Sequence, residues 1–198
     1  MPTPSLDSSL LTRRRALKTL SAASLLSVWG GRSLLAQNAY SGRRLGVALV
    51  GLGNYSRGQL APALQETQIA KLAGIVTGSP EKVPEWQEKY GIKDQNVYNY
   101  DNFEEMVNNP EIDVVYVVTP HGLHAEHSIR AANAGKHVIC EKPMSRTVAE
   151  ADAMLAAARK NDVRIAMGYR LHHEPFNLRC MELARTEALG KLIAFRGE

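Results

Sequence analysis

The sequence is short of cysteine and of long apolar runs, and each shortage argues against a class of protein. Its two cysteines, Cys140 and Cys180, do not stand in a CxxC pair or in another spacing typical of metal ligands. No cysteine-based metal cluster is therefore expected. Cys140 is predicted to be a buried thiol, and a disulfide with Cys180 is the alternative. The apolar stretch 19–31 has 13 residues, too few for a membrane-spanning helix, so no stable membrane anchor is predicted.

Most of the chain also lacks an excess of either charge. The net charge is +4, and the first 36 residues hold five basic groups and one acidic group. The other 162 residues therefore carry 19 groups of each sign. Because no stretch of this neutral part is typical of a phosphate-backbone footprint, a nucleic-acid partner is not expected.

The basic first 36 residues are similar to an export signal. Residues 12–18, Thr-Arg-Arg-Arg-Ala-Leu-Lys, resemble the twin-arginine motif, although Ala16 takes the place of the usual Phe. The apolar stretch 19–31 and a cleavage site after Ala36 complete the pattern. We predict a signal peptide over 1–36, read by the twin-arginine export machinery, and a periplasmic or otherwise exported protein. The alternative is a basic N-terminus without a targeting role.

From residue 45 the chain alternates short apolar runs with helical segments. Predicted strands cover 45–50, 70–76, 96–98, 113–118, 136–140 and 163–167. Predicted helices cover 57–66, 80–90, 103–108, 123–134 and 148–160. This alternation predicts an α/β domain of Rossmann type over 45–174, a doubly wound parallel sheet preceded by a short arm over 37–44. A further helix to residue 185 and a strand over 191–196 are expected to begin a second, incomplete α/β domain over 175–198.

The turn after the first strand has the residues of a dinucleotide-binding loop. Gly51 permits a tight turn, and Gly53 lets the backbone approach a pyrophosphate. Ser56 stands where a third small residue is needed, and the following helix offers free N–H groups. The alternative is a purely structural turn.

The end of the second strand bears on which nucleotide is bound. An NAD site needs a carboxylate there for the ribose hydroxyls, whereas this chain has Thr77, Ser79 and Lys82. Hydroxyls and an ammonium suit a 2′-phosphate, so NADP is predicted and NAD is the alternative. Lys82 is otherwise a solvated lysine at a helix start.

Two later segments fall at the carboxyl ends of strands, where ligands bind in such sheets. Thr119-Pro120 and His124 follow the fourth strand, and Glu141-Lys142-Pro143 follows the fifth. A lysine at this edge can stabilise a developing alkoxide or exchange a proton with a hydroxyl. The alternative is a surface ion pair between Glu141 and Lys142. His121 and His124 lack a third ligand at convincing spacing, so no metal site is predicted.

Taken together, these residues resemble the Gfo/Idh/MocA oxidoreductases, and within them the glucose–fructose oxidoreductase branch. The resemblance covers 45–198 and is carried by Val50-Gly51-Leu52-Gly53-Asn54-Tyr55, Thr77-Gly78, Glu81-Lys82, Asn102-Phe103, Leu123-His124-Ala125-Glu126, Ala134-Gly135-Lys136-His137-Val138, Cys140-Glu141-Lys142-Pro143-Met144, Gly168-Tyr169-Arg170 and Leu189-Gly190-Lys191-Leu192. It implies a catalytic Lys142. It further implies that NADP is held by Gly51, Leu52, Gly53, Asn54, Tyr55, Thr77, Lys82, Thr119, Pro120, His124, Glu141, Tyr169 and Arg170.

The resemblance also implies a function for the complete protein. We expect hydride transfer between bound nicotinamide and a sugar or polyol, with further catalytic residues in a second domain, which also makes a homo-oligomer. The 198 residues alone are expected to be inactive. An exported enzyme must regenerate its bound nucleotide in place, for example by oxidising one sugar and reducing another. The alternatives are a glycosidase-like relative without net redox change and a non-catalytic nucleotide-binding or assembly protein.

Overall fold

The computed structural model describes residues 42–194 and 196. The predicted signal peptide and most of the predicted arm lie outside the described residues. No helix within the described part of the chain is long and apolar enough to cross a membrane.

Six parallel strands form one sheet in the order β3-β2-β1-β4-β5-β6. Their bounds are β1 Leu45–Val50, β2 Ala70–Val76, β3 Val97–Tyr98, β4 Val114–Val117, β5 His137–Cys140 and β6 Ile165–Met167. Five of the six residues of β1 are buried, as an apolar strand covered on both faces must be. Val50 pairs with Val76 on one side and with Val117 on the other, so the three strands end at the same edge. The order 3-2-1-4-5-6 is that of the Rossmann fold, which confirms the predicted fold class.

The helices follow the strands as the alternation predicts. Their bounds are α1 Ala61–Glu66, α2 Val83–Tyr90, α3 His124–Asn133, α4 Val148–Lys160 and α5 Pro175–Arg185. A π-helical turn, Ser56–Leu60, leads into α1, and 3-10 turns cover Pro80–Lys82, Asp94–Asn96, Phe103–Asn108, His121–Leu123 and Arg170–His173. α4 begins at the residue after Thr147, whose side chain accepts a hydrogen bond from the Glu150 N–H. Past α3, Gly135 has a φ of +71°, which favours glycine where a helix ends.

The core lies on both faces of the sheet. On one face, Phe103, Met106 and Met154 are fully buried with the small residues of α3 and α4. On the other face, Trp86 packs with Leu49 and Ile75 beneath α1 and α2. Two separate apolar layers are what a doubly wound sheet requires, because each face needs its own cover.

Two predictions about single segments have different outcomes. The strand over 191–196 is wrong, since 191–194 and 196 are outside any strand and Ile193 is 93% exposed. An apolar run forms a strand only beside a partner, and the described residues offer none there. Cys140 is a buried free thiol, as predicted, and Cys180 is an exposed one.

Candidate functional site

A cleft of about 840 Å³ opens at the carboxyl edge of the sheet. It lies where the strand order reverses between β1 and β4, the place at which α/β sheets bind ligands. Loops after β1, β4, β5 and β6 supply its lining. The lining residues are Tyr55, Val118, Thr119, His121, His124, Glu141, Lys142, Gly168, Tyr169, Arg170, Leu171 and His172.

In the turn after β1, two glycines leave the backbone without side chains at this edge of the sheet. Gly51 has a φ of +97°, and a Cβ on it would lie 3.0 Å from the Val118 carbonyl oxygen. A Cβ on Gly53 would meet no atom within 4 Å, so its outer side is open. The Ser56 hydroxyl donates to the Gly51 carbonyl at 2.5 Å and braces the turn from inside. The buried Leu52 packs into the core with Leu49. An open glycine beside the first unpaired N–H groups of a helix fits a pyrophosphate.

The loop after β2 forms a second part of this edge. The buried Thr77 accepts a hydrogen bond at its hydroxyl from the Ser79 N–H at 3.0 Å. The Lys82 ammonium lies 3.5 Å from the Leu52 carbonyl oxygen, so it reaches back to the glycine turn. A cavity of about 500 Å³ adjoins Thr77 and is also lined by Asp101, a carboxylate that the sequence did not single out.

Two histidines of α3 hold the loop after β4. The fully buried His124 has Nε2 2.9 Å from the Thr119 carbonyl oxygen and Nδ1 2.7 Å from that of Pro143. Both ring nitrogens therefore face carbonyl oxygens, which accept a hydrogen bond only from a nitrogen that carries a proton. His127 Nδ1 lies 3.2 Å from the Thr119 hydroxyl, and its ring stacks on Tyr100. Burial lowers the pKa of His127, which favours the neutral ring.

Glu141, at the end of β5, is 9% exposed and surrounded by donors. The Tyr116 hydroxyl donates to Oε1 at 2.8 Å, and the Lys142 N–H lies 3.2 Å from Oε2. The charge of this carboxylate also acts on the Tyr55 phenol. Burial and the Glu141 carboxylate both raise the pKa of Tyr116 and of Tyr55. Both phenols therefore keep their protons, and the Tyr116 hydroxyl donates its hydrogen bond to Glu141.

Lys142 follows Glu141 but has a different environment. Its side chain is exposed at the cleft. Within the described ranges, no carboxylate oxygen lies within 4.0 Å of its ammonium. The surface ion pair considered from the sequence is therefore not formed. An unpaired ammonium beside a cleft can donate to a ligand oxygen or stabilise negative charge on it.

Comparison with known proteins decides the family. Residues 45–169 match the model of an oxidoreductase family described as having an NAD-binding Rossmann fold. The chain belongs to the Gfo/Idh/MocA oxidoreductase family.

Several relatives in this family are named as enzymes that act on sugars or polyols. The aldose-aldose oxidoreductase of Caulobacter crescentus is 42% identical with a TM-score of 0.72, over 74% of this chain and 44% of that one. The NADP(+)-dependent scyllo-inositol 2-dehydrogenase of Bacillus subtilis is 37% identical over 63% of this chain and 32% of its own length. The levoglucosan dehydrogenase of Pseudarthrobacter phenanthrenivorans is 31% identical over 69% of this chain and 33% of its own. The chain spans less than half the length of the curated relatives it matches.

The structure brings half of the predicted Gfo/Idh/MocA site residues into one cleft. These are Tyr55, Thr119, His124, Glu141, Lys142, Tyr169 and Arg170. The remaining ones, Gly51, Leu52, Gly53, Asn54, Thr77, Lys82 and Pro120, lie on the turns after β1, β2 and β4 and do not line it.

Two site residues were missed from the sequence because nothing marks them locally. Tyr116 is an ordinary member of an apolar strand, and His127 lies in mid-helix. Period-2 alternation does place Tyr116 on the face opposite to Val115 and Val117, which is the only signal available. In the part of the chain that is described, no three His, Cys, Asp or Glu residues are grouped as metal ligands.

Proposed function

We propose that this chain is the nucleotide-binding part of an NADP-dependent oxidoreductase that acts on a sugar or polyol. The observation that carries the proposal is the unpaired Lys142 ammonium in the cleft, which is also lined by Tyr55 just past the glycine turn. Bound nicotinamide supplies the hydride acceptor or donor. Lys142 would hydrogen-bond to the oxygen of the reacting carbon: its amine form would accept the hydroxyl proton when the carbinol is oxidised, and its ammonium form would return a proton to the carbonyl oxygen when the sugar is reduced.

NADP is proposed over NAD on the chemistry of the loop after β2. Thr77 and Ser79 hydroxyls and the Lys82 ammonium suit a 2′-phosphate, and no carboxylate stands directly at the strand end. The scyllo-inositol relative and a D-xylose 1-dehydrogenase of Haloarcula marismortui, 27% identical, carry NADP(+) in their names. Asp101 is the group that would favour NAD instead. Comparing the dissociation constants of NADPH and NADH by fluorescence titration tests this choice.

We further propose that the protein is exported by the twin-arginine route and alternates between oxidising one sugar and reducing another. The leader over 1–36 supports export, and the aldose-aldose oxidoreductase relative supports the alternation. Export of a folded protein lets the nucleotide travel bound. Retention of NADP(H) through purification is expected, and fast exchange with free nucleotide would contradict the proposal.

The decisive experiment is Lys142→Ala in the complete protein. We expect turnover of aldoses to be lost while NADPH binding is kept, because Lys142 acts on substrate. Lys160→Ala is the matched control, since Lys160 ends α4 at the opposite edge of the sheet. Unchanged turnover in the Lys142 variant would refute the catalytic role of Lys142, and absence of turnover in the complete parent protein would instead indicate a non-catalytic nucleotide-binding protein. Release of a free sugar without net redox change would indicate a glycosidase.

A further inference from the structure

We infer that Tyr116 is a positioning residue that holds Glu141 away from Lys142 and so leaves the Lys142 ammonium free for the substrate oxygen. This inference rests on the proposed function. It concerns a residue that is not among those lining the cleft. Tyr116 acts through Glu141 alone.

Tyr116 and Lys142 compete as partners for the Glu141 carboxylate. Glu141 and Lys142 are adjacent in the chain and line the same cleft, so their opposite charges attract each other. The Glu141 side chain nevertheless turns inward, where it is 9% exposed, while Lys142 remains exposed. The hydroxyl of Tyr116, at 2.8 Å from Oε1, supplies the hydrogen bond that holds it there. A hydrogen bond to an ionised acceptor is among the strong ones.

The Glu141 carboxylate lies in a narrow space beside Gly168. A Cβ on Gly168, directly after β6, would lie 2.7 Å from Glu141 Oε1 and 3.1 Å from the Tyr116 hydroxyl oxygen. Only glycine leaves room for both atoms. The place of the carboxylate is therefore defined by three neighbouring strands: Tyr116 on β4, Glu141 after β5 and Gly168 after β6.

Loss of the Tyr116 hydroxyl would also change the surroundings of Lys142. Without the Tyr116 hydroxyl, Glu141 loses a donor in a buried place and is freed to pair with Lys142, which lines the same cleft. An ammonium paired with this carboxylate donates less well to a substrate oxygen and reacts more slowly as a nucleophile. Both effects are measurable, and the second needs neither cofactor nor substrate.

The test is Tyr116→Phe in the complete protein, read in two ways. The single-turnover rate of hydride transfer at saturating substrate is expected to fall about tenfold. The rate at which an amine-acylating reagent modifies Lys142 in the cofactor-free protein, followed by mass spectrometry, is expected to fall about threefold or more. Gly168→Ala displaces the same carboxylate by crowding and should change both rates in the same direction.

A double-mutant cycle separates positioning from a general structural effect. In a Glu141→Gln background, Tyr116→Phe is expected to change either rate by less than about twofold, because no carboxylate remains to be held. Tyr90→Phe, which removes a hydroxyl from the same core layer, is the control and should leave hydride transfer within about twofold of the parent. Equal losses in both backgrounds, or unchanged Lys142 modification in Tyr116→Phe, would overturn the inference. Failure of the proposed function appears elsewhere, as full turnover in Lys142→Ala.

Discussion

The two glycines of the turn after β1 should differ in what an alanine replacement affects: stability of the fold at Gly51 and nucleotide binding at Gly53. In Gly51→Ala, a side chain is forced into a backbone with a φ of +97°, and its Cβ lies 3.0 Å from the Val118 carbonyl oxygen and 3.2 Å from the Thr119 methyl. Backbone strain of this kind costs about 1–3 kcal/mol, and overpacking costs a similar amount. We expect the free energy of unfolding to fall by about 3 kcal/mol and Tm by roughly 10 °C.

Gly53→Ala should leave the fold intact and weaken nucleotide binding. A Cβ at Gly53 meets no atom within 4 Å, and its φ lies outside the region reserved for glycine. The added methyl group instead occupies the open side of the turn, where a pyrophosphate would approach the backbone. We expect Tm to change by less than about 2 °C and the dissociation constant of NADPH to rise about tenfold or more.

Thermal unfolding without nucleotide and fluorescence titration with NADPH, on both variants, measure the two properties. The two glycines are two residues apart, so each variant serves as the control for the other. The reasoning is refuted if Gly53→Ala is as destabilised as Gly51→Ala, or if Gly53→Ala binds NADPH as tightly as the parent.

Two further predictions concern stability alone. Tyr90→Phe should raise Tm by roughly 3 °C, because the Tyr90 hydroxyl is buried without a hydrogen-bond partner among the described residues; an unchanged or lower Tm would show that the hydroxyl is satisfied. Glu104→Gln should destabilise by about 1 kcal/mol at pH 7, because the hydrogen bond from the partly exposed Arg130 lowers the pKa of Glu104. A lowered folded-state pKa stabilises above the unfolded value of about 4.3 and is lost as pH falls through the folded value. Urea unfolding should therefore show a smaller difference at pH 3 than at pH 7, and an equal difference at both pH values would contradict the assignment.

The fold could be predicted almost completely from the sequence because its signals are local. The strands Leu45–Val50 and Ala70–Val76 and the helices Val148–Lys160 and Pro175–Arg185 have the predicted bounds. Buried parallel strands are continuous apolar runs, and the helix ends carry caps and glycines. The strand over 191–196 failed because strand formation depends on a partner that the run itself does not specify.

The site could be predicted only in part, because side-chain partners are set by contacts between strands. Gly51, Gly53 and Lys142 are recognisable from a turn and a strand end. The hydrogen bond between Tyr116 and Glu141 joins residues 25 positions apart and exists because β4 and β5 are paired with Val117 beside Cys140. The sequence of one strand alone does not specify which residues of the neighbouring strand lie beside it.

Contacts between strands also affect the chemistry of Glu141 and Lys142, which are adjacent in the sequence. Two opposite charges in sequence favour an ion pair, and an ion pair would make the lysine a poor partner for a substrate oxygen. Both residues line the cleft, but the buried Glu141 carboxylate accepts a hydrogen bond from Tyr116, whereas the Lys142 side chain is exposed. In the proposed arrangement, a phenol on the neighbouring strand sets the reactivity of the lysine. A chain with the same Glu-Lys-Pro segment but phenylalanine on β4 would need another donor for its glutamate, or would have its lysine paired.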